Sequence, residues 1–150
     1  MGYEHYEISN LALPGKYAIH NTNYWRGMPY LGIGPSAHSF NGTARRWNIA
    51  NNHLYMKSIL QEGKLLYDEE QITPVQNLNE YIMTSLRTMW GCDLDQIGRK
   101  WDQTYAAETE KNSHIFQEKK WLIQQGRKLI LTEKGKLFAD KVAAEMFLSE

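Results

Sequence analysis

The rhythm of apolar and polar positions changes near residue 50 of this 150-residue chain. Before that point, short runs rich in aromatic and β-branched residues are broken by Gly and Pro, the texture of strands and loops. Tyr3 to Ile8 is such a run, and Leu11-Ala12-Leu13 leads into a Pro14-Gly15 turn. Tyr30-Leu31-Gly32-Ile33-Gly34-Pro35 starts apolar, becomes Gly/Pro-rich, and the chain turns aromatic again at Phe40. Glycine at alternate strand positions predicts close approach of another backbone or of a ligand. No self-contained set of paired strands emerges, so 1–50 reads as part of a larger domain.

From Asn51 onward apolar residues recur at helical steps. Asn52 is the predicted cap of a helix carrying Leu54, Met56, Ile59 and Leu60, stopped by Gly63. Thr73-Pro74-Val75-Gln76 has the form of a capping box with Pro at the first helical position. Its helix carries Leu78, Tyr81, Ile82, Ser85, Leu86, Met89 and Trp90, up to Gly91. Asp93-Leu94-Asp95-Gln96 opens a short helix with Leu94, Ile97 and Trp101 on one face. A further helix is predicted to end near Gln125, burying Ile115, Phe116, Leu122 and Ile123. Gly126-Arg127-Lys128 then turns into a strand at Leu129-Ile130-Leu131, and Thr132 caps a last helix bearing Phe138, Val142 and Met146. This order predicts a winged-helix-like arrangement over 73–150, with 51–72 as connecting helix and linker.

Composition sets limits on function. Net charge is +0, so nothing global draws the chain to nucleic acid or an anionic membrane. No apolar run nears the ~18 residues of a membrane span. Met1-Gly2-Tyr3-Glu4-His5 lacks the basic and apolar regions of a secretory signal, and Tyr6 stands where a myristoylation motif needs Ser or Thr. A cytoplasmic protein is expected. Cys92 is the single cysteine, so no intrachain disulfide forms. Nor does it supply by itself the thiolates of an iron–sulfur cluster or structural zinc. Between Gly91 and Asp93 it reads as a small residue at a helix break, where the carboxylate raises rather than lowers a thiol pKa.

The densest candidate for chemistry is His20-Asn21-Thr22-Asn23-Tyr24-Trp25, with Tyr17 nearby. An imidazole beside Tyr and Trp suits a flat aromatic ligand, the His binding iron axially and the rings lying on the macrocycle. Residue types leave a second reading open: a loop pinned by Asn side chains, its rings filling a core. Gly32-Ile33-Gly34-Pro35-Ser36-Ala37-His38-Ser39 lacks the third glycine and following helix of a phosphate cradle. A strand end lining a cavity is the simpler reading, with His38 facing the cavity or satisfied by backbone. Glu4 and Glu7 are predicted on opposite faces of a strand and form no acid–base pair. The sequence holds no Gly-x-Ser-x-Gly elbow, Walker lysine or His-Glu-x-x-His helix, which leaves hydrolase and nucleotidase readings unsupported. Lys and Arg exceed Asp and Glu between Gln96 and Lys141, with Arg127 and Lys128 at the predicted wing tip. Their alternation with acids and the zero net charge point to solvated helix faces on a packing module rather than to DNA binding.

Three segments in order, Tyr6-Glu7-Ile8-Ser9-Asn10, His20-Asn21-x-x-Tyr24-Trp25 and Gly32-x-Gly34-x-x-Ala37-His38-Ser39, resemble the oxygen-independent coproporphyrinogen III oxidase-like proteins. These are radical-SAM proteins of haem metabolism, and the His-Asn-x-x-Tyr-Trp signature is similar to that of their haem-chaperone branch. Residues 73–147 also resemble the family's helical C-terminal domain, including Leu131-Thr132-x-x-Gly135. The resemblance implies an α+β chain: the last strands and loops of a partial (β/α) radical-SAM barrel, then a mainly helical, winged-helix-like domain. It implies that the full family protein holds a [4Fe–4S] cluster on a Cys-x-x-x-Cys-x-x-Cys loop and binds S-adenosylmethionine. Cys92 does not match that loop, so this chain is expected to begin downstream of it and to have no radical-SAM activity alone. The resemblance further implies haem as ligand, His20 as iron ligand, and Asn21, Tyr24, Trp25, Gly32, Gly34 and His38 as porphyrin-site residues. Implied partners are haem-receiving respiratory proteins; no nucleic acid is expected. An incomplete barrel edge is expected to favour self-association. The alternative inside the family is a part of an oxygen-independent coproporphyrinogen III oxidase, which oxidatively decarboxylates its substrate to protoporphyrinogen IX. The family often has Gly where this chain has Ser36.

Overall fold

In a computed structural model, residues 2–149 are described, and the chain is a mixed α/β protein that divides into two compact units. One unit joins residues 1–26 to 74–150; the other is the intervening 27–73.

The first unit begins with a hairpin, β1 (Glu4–Glu7) against β2 (Asn10–Ala12), followed by α1 (Ile19–Trp25). Ala18 at the head of α1 makes no side-chain cap, and no acidic residue lies in its first turn. The chain there lacks the usual start signal of a helix. The His20–Trp25 stretch, whose alternative reading was a loop, is therefore a helix of two turns.

After the second unit the chain re-enters with α3 (Pro74–Leu86), β6 (Cys92–Asp93), α4 (Leu94–Lys100) and α5 (Gln103–Glu118). The hairpin of β7 (Leu122–Gln125) and β8 (Lys128–Leu131) follows, then α6 (Glu133–Lys136) and α7 (Ala139–Glu145). The sheet runs β6-β8-β7, all antiparallel, with Cys92 opposite Leu129 and Leu122 opposite Leu131. Its core is built on Leu78, Ile82, Leu94, Ile97, Phe116 and Met146, none more than 1 % exposed. Burying such side chains contributes roughly 1.5–3 kcal/mol each, enough to set the unit's packing.

Several sequence expectations need correction here. The helix that starts at Pro74 ends at Leu86 rather than running to Trp90, because residues 87–89 leave it to pair with β1. Ile8 N–H donates to the Arg87 carbonyl and Met89 N–H to the Tyr6 carbonyl, both at 3.0 Å. The helix expected to reach Gln125 stops at Glu118, and Leu122–Gln125 is a strand. Lys120 adopts φ 56°, and Trp121 N–H turns back to the Phe116 carbonyl at 2.8 Å while Lys120 N–H meets Gln117. That is a Schellman stop with Lys in the position usually held by Gly. Ile115 and Ile123, expected in the core, are 49 % and 40 % exposed. The last helix is two: Thr132 caps α6 by accepting from Gly135 N–H, and Phe138 stands between α6 and α7.

Asp93 caps α4 as expected, accepting from Gln96 N–H at 3.0 Å. The reciprocal half of the capping box is supplied differently. The Tyr81 hydroxyl, not the Gln96 side chain, accepts the Asp93 N–H at 3.0 Å. At the C-terminus, Asn79 accepts from Leu148 N–H and donates to its carbonyl, both at 2.9 Å.

The second unit is an antiparallel sheet of β3 (His38–Phe40), β4 (Ala44–Asn48) and β5 (Tyr67–Gln71), in the order β3-β4-β5, with α2 (Asn52–Leu60). The cap of α2 is Asn51, one residue earlier than expected; its side chain accepts from Leu54 N–H at 3.0 Å. Leu54, Met56, Ile59 and Leu60 are all exposed within this chain.

Candidate functional site

The short α1 sorts its signature residues by angle. His20 and Tyr24 are four residues apart and share one face, whereas Trp25 lies about 140° around the helix from His20. His20, Asn21 and Tyr24 are exposed, and Thr22 is buried. No hydrogen bond or ion pair engages the His20 imidazole among the described residues. The Tyr24 and Trp25 rings meet edge to face with centroids 5.4 Å apart. Trp25 turns inward, with the Arg87 guanidinium 5.6 Å from its ring centroid. Thus His20, Asn21 and Tyr24 sit together on a solvent-facing surface, and Trp25 belongs to the opposite, packed side.

Beside that packed side lies a cavity of about 350 Å³, lined among others by Trp25, Arg26, Trp90, Asp93, Gln96 and Lys128. Arg26 stacks on Trp90, its guanidinium carbon 5.1 Å from the ring centroid. Tyr6, Tyr17 and Trp90 continue the aromatic layer, with Tyr6 and Tyr17 centroids 4.9 Å apart. Tyr17 donates its hydroxyl to Glu4, and that hydrogen bond holds its pKa above the usual phenol value.

Gly32, Gly34 and His38 lie in the other unit. A Cβ on Gly32 would stand 2.1 Å from the His38 carbonyl oxygen, so Gly32 marks a close backbone approach, whereas Gly34 has open space around it and a φ of 108° instead. Their N–H groups are already used: Gly32 donates to Ser39 Oγ at 3.0 Å and Gly34 to the Tyr55 hydroxyl at 3.1 Å. Asn48, buried, donates its amide to the Gly34 carbonyl at 2.9 Å. The loop is therefore tied internally and presents no free N–H cradle for phosphate. His38 is exposed, its ring 6.1 Å from that of Trp47.

Sequence reasoning missed Glu7 as a structural carboxylate. It is 1 % exposed and accepts from Ser9 N–H at 2.9 Å and Arg87 Nε at 3.2 Å. An acidic residue in an aromatic strand run gave a hint, since buried carboxylates need partners, but the partner lies far along the chain. Glu4 and Glu7 have separate partners, Tyr17 and Arg87, in keeping with their reading as no acid–base pair.

Cys92 is fully buried, and burial pushes its thiol up to about 12, with Asp93 adding to the rise and the nearby Ser85 side chain opposing it. It is packing material, inert as a nucleophile. Among the described residues no group of three or more His, Cys, Asp or Glu is placed to hold a metal ion. At the hairpin tip, Arg127 is engaged by Asp95 at 3.1 Å and Glu110 at 2.8 Å. Hydrogen bonds from Gln124 and then Arg127 hold the Glu110 carboxyl below its usual range. A guanidinium so occupied makes a poor phosphate clamp. No helix among the described residues is long and apolar enough to cross a membrane.

No protein-family model matches the chain. Among curated proteins, the heme chaperone HemW of Mycobacterium tuberculosis is 30 % identical over 141 residues, covering 94 % of this chain and 34 % of that protein. The heme chaperone HemW of Synechocystis is 34 % identical over 124 residues, covering 81 % of this chain and 30 % of that protein. Among solved structures, coproporphyrinogen III oxidase (HemN) from Escherichia coli, described as a radical SAM enzyme, superposes with a TM-score of 0.70. It shares 19 % identity and covers 97 % of this chain and 37 % of that one, so the likeness is one of fold. The chain is a homologue of the HemW heme chaperones, and it spans about a third of the length of the curated relatives it matches.

Proposed function

We propose that this chain is the C-terminal portion of a HemW-type haem chaperone and that α1 presents its haem-binding surface. The observation that carries the reading is His20, an exposed imidazole with no partner among the described residues and with Tyr24 on the same helical face. Neutral imidazole is a good axial ligand for haem iron, and an aromatic neighbour gives the macrocycle a surface to lie on. An exposed ligand also suits a carrier, because a cargo that is not enclosed can be passed on. In this reading Asn21 and Trp25 flank the iron ligand, and Gly32, Gly34 and His38 are separate porphyrin-contact candidates of the second unit.

The elements α3 to α5 with the β6-β8-β7 sheet are read as a winged-helix-like packing module, and 1–50 as the end of a partial (β/α) barrel. The family's [4Fe–4S] cluster does not fit the residues of this chain: its one thiol, Cys92, lies in the core. The parent protein would use S-adenosylmethionine and that cluster elsewhere, and would deliver haem to respiratory haem proteins from the cytoplasm.

Haem titration tests the iron ligand. The chain should shift the Soret band of added haem, and His20→Ala should abolish the shift. An identical spectrum in the variant would remove His20 from the reading. Turnover of coproporphyrinogen by the parent protein would instead assign it to the oxidase branch; haem binding without turnover supports the chaperone.

A further inference from the structure

The cavity beside α1 has a chemical bias that the haem-iron reading does not use. Its hydroxyl protons are spent inside the protein: Thr88 Oγ1 donates to the Ser85 carbonyl at 2.9 Å and Ser85 Oγ to the Ile82 carbonyl at 3.3 Å. Its one carboxylate, Asp93, accepts from the Gln96 N–H as the cap of α4. Asp93 keeps its negative charge, but two cationic side chains, Arg26 and Lys128, outweigh it, and the groups left without partners are donors. Arg26 and Lys128 have no carboxylate partner among the described residues, and the Gln96 side-chain amide protons have no acceptor.

A second observation points the same way. Among the described residues, the buried side-chain polar atoms without a hydrogen-bond partner are Thr22 Oγ1 and Trp25 Nε1, both on α1. Native proteins leave few such atoms, and an orphaned buried donor is costly. Trp25 also lines the cavity, as does a second indole, Trp90.

We infer that this cavity binds the carboxylate-bearing edge of a planar aromatic ligand. Trp25 and Trp90 supply the apolar walls, and Arg26 and Lys128 meet the carboxylates. At about 350 Å³ the cavity takes one edge of a large ring system rather than the whole of it. If the proposed function holds, that edge is the propionate side of a porphyrin. The inference extends that reading, yet it depends on carboxylates, not on iron.

Metal-free protoporphyrin IX separates the two. Titrated into the chain, it should quench tryptophan fluorescence, and His20→Ala should leave its affinity unchanged. The double variant Arg26→Gln/Lys128→Gln should weaken it about tenfold or more, the usual scale for losing a charged hydrogen-bond partner. Trp25→Phe, which keeps a ring but removes the N–H, should weaken it less. A water-soluble porphyrin bearing cationic groups in place of carboxylates should bind poorly to the wild type and no worse to the double variant. Equal affinity of wild type and double variant for protoporphyrin IX, or equal binding of the cationic porphyrin, would overturn the inference. Loss of the haem Soret shift in His20→Ala alongside an unaffected double variant sinks the cavity and keeps the iron ligand. The reverse pattern keeps the cavity and sinks His20.

Discussion

The Glu7 carboxylate, with a fully buried side chain, receives the Arg87 guanidinium at 3.2 Å across 80 residues of sequence. The same guanidinium reaches Asp140 at 2.9 Å, but that carboxylate is 88 % exposed. The two ion pairs share a cation and differ in surroundings. Removing one partner of a buried pair leaves a charge with neither water nor counter-ion, whereas exposed pairs contribute little.

Arg87→Met should therefore destabilise the first unit by about 2–4 kcal/mol, since Arg87 itself keeps some access to water. Asp140→Ala should cost under about 0.5 kcal/mol. Glu7→Gln, which retains an acceptor for Ser9 N–H, should fall between them. Urea denaturation of the three variants checks the order. Equal midpoints for Arg87→Met and Asp140→Ala would show that the buried carboxylate does not depend on its cation.

Ser36 has φ 59° in the loop between Gly34 and His38. A left-handed conformation strains any residue with a Cβ by about 1–2 kcal/mol, while glycine gives back part of that gain as backbone entropy. Ser36→Gly should accordingly raise stability by up to about 1 kcal/mol, seen as a higher melting temperature. A lower melting temperature would mean that the serine side chain contributes more than its backbone costs.

The Cys92 thiol, raised by burial from 9.0 to about 12, ties stability to alkaline pH. The folded state holds this proton more tightly than the unfolded chain does. Its contribution is complete below the unfolded value near 9.0 and is lost as pH climbs toward about 12. Burial raises Tyr81 as well, so the readout is a difference. Cys92→Ala should be less stable at neutral pH, yet lose stability less steeply above 9.0. Parallel pH profiles for wild type and variant would contradict a buried, protonated thiol.

Helices with both a cap and an apolar stripe were legible in the sequence. Asp93 and Thr132 cap where their spacing predicts, and the stripe of Leu78, Ile82 and Leu86 is buried. What failed was decided by partners distant in sequence or by backbone conformations foreign to the residue. Lys120 in a left-handed turn ends α5 where a reader looks for glycine. The pairing of residues 87–89 with β1 outcompetes a helical pattern that continues to Trp90. Within the candidate site, the separation of the residues was not legible. Reading His20 to Trp25 as one cluster ignored the helical angle that turns Trp25 away from His20. The cavity behind α1 also draws on Trp90 and Lys128, more than sixty residues away, which no local motif discloses.

The joining of 1–26 to 74–150 has a consequence for synthesis. The strand that holds Glu7 leaves the ribosome well before Arg87 and the backbone of residues 87–89 that pair with it. The intervening unit, 27–73, emerges in the meantime and has its own sheet to form. Nascent chain therefore accumulates with an aromatic, edge-exposed hairpin waiting for its partners, a state prone to pairing with other strands. Closing that long loop is slow relative to local pairing, because chain entropy must be overcome before the contacts form. Tyr6, 2 % exposed once folded, stays an exposed apolar group until residues 87–89 emerge, of the kind that general chaperones bind.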